Sequence, residues 1–135
     1  MKIEADWQSG MHFKCLSPSN HVTDYDSGPK DTKTKGPTPM EVMLEAAACC
    51  SGMDIISILQ KKRKEPEEFK IVVEGERAEN HPKRFTSINI TYILKKDGLT
   101  EKDAEQAVKL SVEKYCSVTA SLAPDMDINW NYELK

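Results

Sequence analysis

The 135 residues suffice for one domain and are too few for two of ordinary size, so a single domain over residues 1–135 is expected. Hydrophobic residues at 39% and charged residues at 30% belong to a globular chain that can form a core without a disulfide or metal staple. The 19 basic and 22 acidic residues leave a net charge of -3, which offers no electrostatic footprint for nucleic acid or an anionic membrane, and neither is an expected partner.

The opening MKIEADWQ carries charges at alternate positions and lacks the apolar core of a secretory signal, so the expected location is cytoplasmic. The stretch from Met40 to Leu59 is apolar but broken by Glu41, Glu45 and Asp54, which argues against a membrane span. In a reducing compartment Cys15, Cys49, Cys50 and Cys116 are expected as thiols. No Cys-x-x-Cys occurs and no histidine stands at ligand spacing from a cysteine pair, so neither a metal nor a cofactor is expected.

Met1, Ile3, Ala5 and Trp7 alternate with Lys2, Glu4, Asp6 and Gln8, a period of two that predicts a strand with one buried face. Ser9-Gly10 predicts a turn, after which Met11, Phe13 and Cys15 continue the pattern as a hairpin. A third short strand is placed over His21–Tyr25. The Asp, Ser, Gly, Pro, Lys and Thr of residues 26–35 predict a mobile loop of the kind that borders sites. Order resumes at Thr38-Pro39-Met40-Glu41, where threonine caps, proline suits the first helical position and Glu41 completes a capping box.

The helix that follows is expected to run to about Lys62. Its apolar residues surround most of the circumference, which predicts a central, buried helix. Gly52 within it fits a close contact or a kink, and Lys61-Lys62-Arg63-Lys64 suits a solvated carbonyl end. Strands are expected near Phe69–Glu79, with a bulge allowed at Gly75, and over Phe85–Lys95. A second helix starts at Thr100 and Asp103 and carries Ala104, Ala107, Val108, Ser111, Val112 and Tyr115 on one face. The last strand, Met126–Leu134, turns Met126, Ile128, Trp130, Tyr132 and Leu134 inward. The order βββ-α-ββ-α-β predicts an α+β fold in which an antiparallel-rich sheet holds the central helix.

Two cysteines stand out. Helical spacing puts Cys50 on one side of the first helix with Met43, Ala46, Met53, Asp54 and Ser57, while Cys49 points elsewhere, beneath Glu45. Cys116 ends the second helix, with Ser117 available to cap a further turn. A thiol beside a helix N-terminus has its thiolate favoured, whereas a buried cysteine is often an inert small hydrophobe. Composition leaves both readings open at each position.

Residues 37–59, PTPMEVMLEAAACCSGMDIISIL, resemble the first cysteine helix of the OsmC/organic-hydroperoxide-resistance (Ohr) family. Residues 107–118, AVKLSVEKYCSV, resemble its second cysteine motif, and His81-Pro82 followed by Phe85-Thr86-Ser87-Ile88 resembles its connecting hairpin. The resemblance implies an intertwined homodimer with the site at the subunit interface, which would account for a first helix too apolar to face water. It further implies that Cys50 is the peroxidatic thiol and Cys116 the resolving thiol, with an organic hydroperoxide as substrate and an external dithiol as reductant. Met40, Met43 and Met53 would line the pocket.

The family pairs an N-terminal arginine with a glutamate ten residues before the reactive cysteine. Here Met40 occupies that glutamate position with Glu41 beside it, and no arginine precedes Arg63. Lys14, Lys33 and Lys35 are the candidate replacements, although lysine lacks the planar guanidinium fork. A cation matters because burial and Asp54 would both oppose a thiolate at position 50. The competing readings are a thiol/disulfide or sulfur-transfer protein, and a dimeric module binding a small apolar ligand beside silent cysteines.

Overall fold

The computed structural model describes all 135 residues and divides them into two compact units, Met1–Met43 and Leu44–Lys135. In the first unit, β1 (Glu4–Ser9), β2 (His12–Leu16) and β3 (Val22–Tyr25) form an antiparallel meander in that order. Gly10 makes the β1–β2 turn at φ +53°, a left-handed conformation that glycine adopts without strain. The expected buried face is not realised in the single chain: Ile3, Trp7 and Met11 are each more than 60% exposed. Three short strands without a second layer over that face leave its apolar side chains in solvent.

The polar loop after β3 is tied at both ends by Asp26. Asp26 accepts hydrogen bonds from the backbone N–H groups of Ser27 and Lys35, and donates its own N–H to the Pro37 carbonyl. The Lys35 hydrogen bond in particular holds the Asp26 carboxyl below its usual range. Thr38 and Glu41 then form the predicted capping box: Glu41 Oε2 accepts from the Thr38 N–H at 2.6 Å, and Thr38 Oγ1 accepts from the Glu41 N–H at 3.3 Å. This box opens α1 (Pro39–Lys61).

In the second unit, β4 (Glu68–Arg77), β5 (Phe85–Lys95) and β6 (Asp127–Leu134) form a sheet ordered β4-β5-β6. The β4–β5 pair is antiparallel and the β5–β6 pair is parallel. Between β5 and β6 the chain makes α2 (Glu101–Leu110), a wide π turn (Ser111–Tyr115) and the short α3 (Ser117–Ala120). This helical crossover returns β6 in the same direction as β5, which is why the last pairing is parallel. The register aligns Phe69, Ile71 and Val73 with Leu94, Tyr92 and Ile90, and these with Leu134, Tyr132 and Trp130. They form one apolar face, on which Ile88, Ile90, Tyr92 and Leu94 of the central strand are fully buried.

Ala47, Ser51, Gly52, Ile55 and Leu59 are the buried residues of α1, whereas Met43 and Met53 are exposed. The expectation of a helix buried around most of its circumference is thus corrected for the single chain, because one sheet covers only one side of a cylinder. Gly52 is the point of closest approach: a Cβ there would come within 2.6 Å of Ile71 Cδ1. Gly75 plays the same part on β4, where a Cβ would meet the Phe85 ring at 2.6 Å and Leu44 at 3.2 Å. The register shift lies between Glu76 and Arg77, so Gly75 provides clearance and is not the bulge.

The basic run at the end of α1 is partly engaged in ion pairs. Arg63 adopts φ +58°, and the N–H groups of Arg63 and Lys64 donate to Gln60 and Leu59, the pattern of a Schellman cap. Lys62 and Lys64 both reach Asp103, which also closes the capping box with Thr100 at the start of α2. The Lys64 contact, with help from Thr100 and Lys62, depresses the Asp103 carboxyl strongly.

Gly75→Ala is expected to lower stability by about 1–3 kcal/mol through overpacking against Phe85, measured by urea unfolding. Asp103→Asn should also destabilise the protein at neutral pH. A depressed carboxyl stabilises the folded state above its unfolded value, about pH 4, and loses that contribution as pH falls toward its folded value. The melting temperatures of wild type and Asp103→Asn should therefore converge as pH drops below about 4, and parallel curves would contradict this account.

Candidate active site at Cys50 and Cys116

The buried residues Ala47, Ser51, Ile55 and Leu59 recur every four positions and seat α1 on the sheet. Cys50 and Asp54, also four apart, flank this stripe on one side and are half-buried. Cys49 and Met53 flank it on the other, lining an apolar groove with Gly52, Ile56, Phe69 and Ile71. Cys49 is an exposed thiol and Met53 is 72% exposed, so Met53 groups with Cys49 here rather than with Cys50.

Cys116 arrives from the other end of the chain. The π turn places its N–H on the Ser111 carbonyl at 2.8 Å, five residues back, and the extra residue per turn rotates Tyr115 outward and Cys116 inward. Tyr115 is accordingly exposed, a correction to the expectation that it joins the core stripe, while Cys116 is only 2% exposed. The buried Ser111 hydroxyl donates to the Ser51 carbonyl at 2.9 Å, tying the π turn to the α1 residue that follows Cys50. As a result one side-chain ligand atom each from Cys50, Asp54 and Cys116 lies within 4.8 Å of the other two.

Burial pushes the Cys116 thiol up from its ordinary value. Thr119, at the start of α3, favours the thiolate through its hydroxyl and N–H, in the direction expected for a helix N-terminus. Burial and the adjoining Cys50 outweigh it. Nearby, Asp54 Oδ2 is buried without a hydrogen-bond partner. Tyr92 is pushed up to about 12, first by burial and further by Cys116 and Asp54, with the neighbouring Ser51 hydroxyl opposing the shift.

The remaining predicted residues lie elsewhere. The Glu41 carboxylate is engaged by the backbone and hydroxyl of Thr38 in the helix cap. Lys14 is exposed on β2 opposite Asp24 and makes no ion pair, while Met40 is half-buried in the first turn of α1. Sequence reasoning missed the π turn, Ser111 and Tyr92. A serine inside the apolar stripe of α2 was the available signal for Ser111, since a buried hydroxyl needs a partner.

The profile for the family described as OsmC-like protein matches residues 30–131. The chain belongs to this family. It is 37% identical over 134 residues to protein YhfA of Escherichia coli K12, spanning 99% of this chain and 98% of that protein. A crystal structure of a hypothetical protein from Aquifex aeolicus VF5 is similar at 36% identity and TM-score 0.88, covering 99% of this chain and 95% of that one. An OsmC-like protein from Mycoplasma pneumoniae shares the fold at 20% identity and TM-score 0.85, over 98% and 95% of the two chains. The α+β architecture of this OsmC-like protein is therefore that of known OsmC structures.

Ser111→Ala in this OsmC-like protein removes a buried donor from the Ser51 carbonyl. A loss of about 1 kcal/mol in stability and faster alkylation of Cys116 by a thiol reagent are expected. Unchanged Cys116 labelling would mean that the tie does not position the thiol.

Proposed function

We propose that this OsmC-like protein reduces organic hydroperoxides with Cys50 as the attacking thiol and Cys116 as the resolving thiol. The carrying observation is that two cysteines distant in sequence are brought, with Asp54, into one cluster no wider than 4.8 Å. A disulfide needs its sulfurs about 2.05 Å apart, a gap that side-chain rotation and a small shift of the π turn can close. The resemblance of both cysteine segments to those of the OsmC/Ohr family supports the same roles.

The Cys50 thiolate displaces the alkoxide from the peroxide oxygen, giving an alcohol after protonation and a sulfenic acid on Cys50. The Cys116 thiol condenses with it, forming the disulfide and releasing water. An external dithiol then exchanges through a mixed disulfide, restoring both thiols and leaving as its own disulfide. A reducing, cytoplasmic setting would keep the resting thiols reduced.

The proposal includes a homodimer. Ile3, Trp7 and Met11 on the first sheet, and Met43 and Met53 on α1, are apolar and exposed in the single chain, as expected of surfaces covered by a second copy. One observation favours the thiol/disulfide-exchange reading over peroxide reduction: the charged group gathered with the two sulfurs is a carboxylate, where the family pattern uses an arginine. Peroxide turnover separates the two.

With a cumene-type hydroperoxide and a dithiol, wild type should consume peroxide catalytically and Cys50→Ser should not. Cys116→Ser should react once and accumulate a sulfenic acid on Cys50 that a dimedone-type reagent traps. Wild-type protein that forms the Cys50–Cys116 disulfide with no peroxide consumption would replace this reading with thiol exchange.

A further inference from the structure

The cluster of Cys50, Asp54 and Cys116 contains two thiols and one carboxylate whose ligand atoms all lie within 4.8 Å of one another. Around a tetrahedral zinc ion, with bonds of about 2.3 Å to sulfur and about 2.0–2.2 Å to oxygen, ligand atoms stand about 3.4–3.8 Å apart. A contraction of about 1 Å, within the range of side-chain rotation, brings the three onto one centre. Cys50, Asp54 and Cys116 share no local metal motif in the sequence, and only the fold brings them together.

One observation besides the donor set points to a missing positive partner. Asp54 Oδ2 is buried with no donor. Buried polar atoms are nearly always satisfied, so an orphaned carboxylate oxygen within the cluster calls for an explanation.

We infer that Cys50, Cys116 and Asp54 form a binding site for a thiophilic divalent cation of the zinc class. Thiolate donors select zinc-like ions over magnesium or calcium, which prefer all-oxygen sites. Binding releases two protons, one from each thiol, and no electrons move. The metal-bound and disulfide states exclude each other, because an oxidised pair has no thiolate to donate. The inference rests on the cluster geometry and does not require the peroxidase reading.

The test uses the reduced full-length protein, titrated with zinc against a chromophoric chelator and with cobalt(II) as a spectroscopic probe. One metal per chain is expected, with two protons released per zinc and the absorption of tetrahedral thiolate-bound cobalt. Cys50→Ser, Cys116→Ser and Asp54→Asn should each weaken zinc binding by about tenfold or more, while Cys15→Ser and Cys49→Ser retain it. Asp54→Glu should recover part of the affinity, which guards against a merely misfolded Asp54→Asn. Protein oxidised to the Cys50–Cys116 disulfide should take up no metal. The inference is overturned if reduced wild type binds no zinc, if affinity follows Cys49 or Cys15, or if folded Asp54→Asn keeps wild-type affinity and cobalt spectrum. A protein that reduces peroxide but binds no zinc would overturn this inference alone, and one that binds zinc but never turns over peroxide would overturn only the proposed activity.

Discussion

Close approach between α1 and the sheet is the constraint on which the second unit depends. It is achieved by small side chains: Ala47, Ser51 and Gly52 let the helix backbone sit against Ile71 and the central strand. On β4, Gly75 leaves the space taken by Phe85 and Leu44. Packed interiors accommodate added atoms only by shifting neighbours, so this clearance fixes the helix height and with it the depth of Cys50. The Ser111–Ser51 hydrogen bond then sets where the π turn crosses α1, and Cys116 follows directly from that crossing.

The site so built differs electrostatically from a cation-activated thiol. Burial disfavours the thiolate at Cys116, and the two contributions from Thr119 only partly offset it. Asp54 adds a carboxylate beside both sulfurs. A positive charge brought to this pair, such as the proposed metal ion, would favour the thiolates. It would act strongly, because a half-buried cluster screens charge less than water does.

The boundaries of α1 and β5 and the start of α2 were legible in the sequence because their signals are local: two capping boxes and strict alternation in Phe85–Lys95. The two cysteine segments were legible for the same reason. What the sequence concealed depends on contacts between distant elements. Trp7 alternates like a core residue yet is 64% exposed, since periodicity reports which face is apolar and not what covers it. The π turn at Ser111–Tyr115 leaves no local signature, although it decides that Cys116 is buried and Tyr115 is not. The pairing of Lys62 and Lys64 with Asp103 likewise required two helix ends to meet.

Adjacent positions on α1 give the two neighbouring sulfurs opposite characters. Cys49 opens onto the exterior groove, while Cys50 turns toward the buried Cys116. Chemoproteomic tagging, which ranks cysteines by how quickly a probe reaches them, will accordingly score Cys49 above Cys50. Because the two are contiguous, a proteolytic fragment carrying one carries the other, and only fragmentation between them assigns the adduct. In this protein a reactivity map needs single-residue resolution before a fast-labelling thiol is equated with a working one.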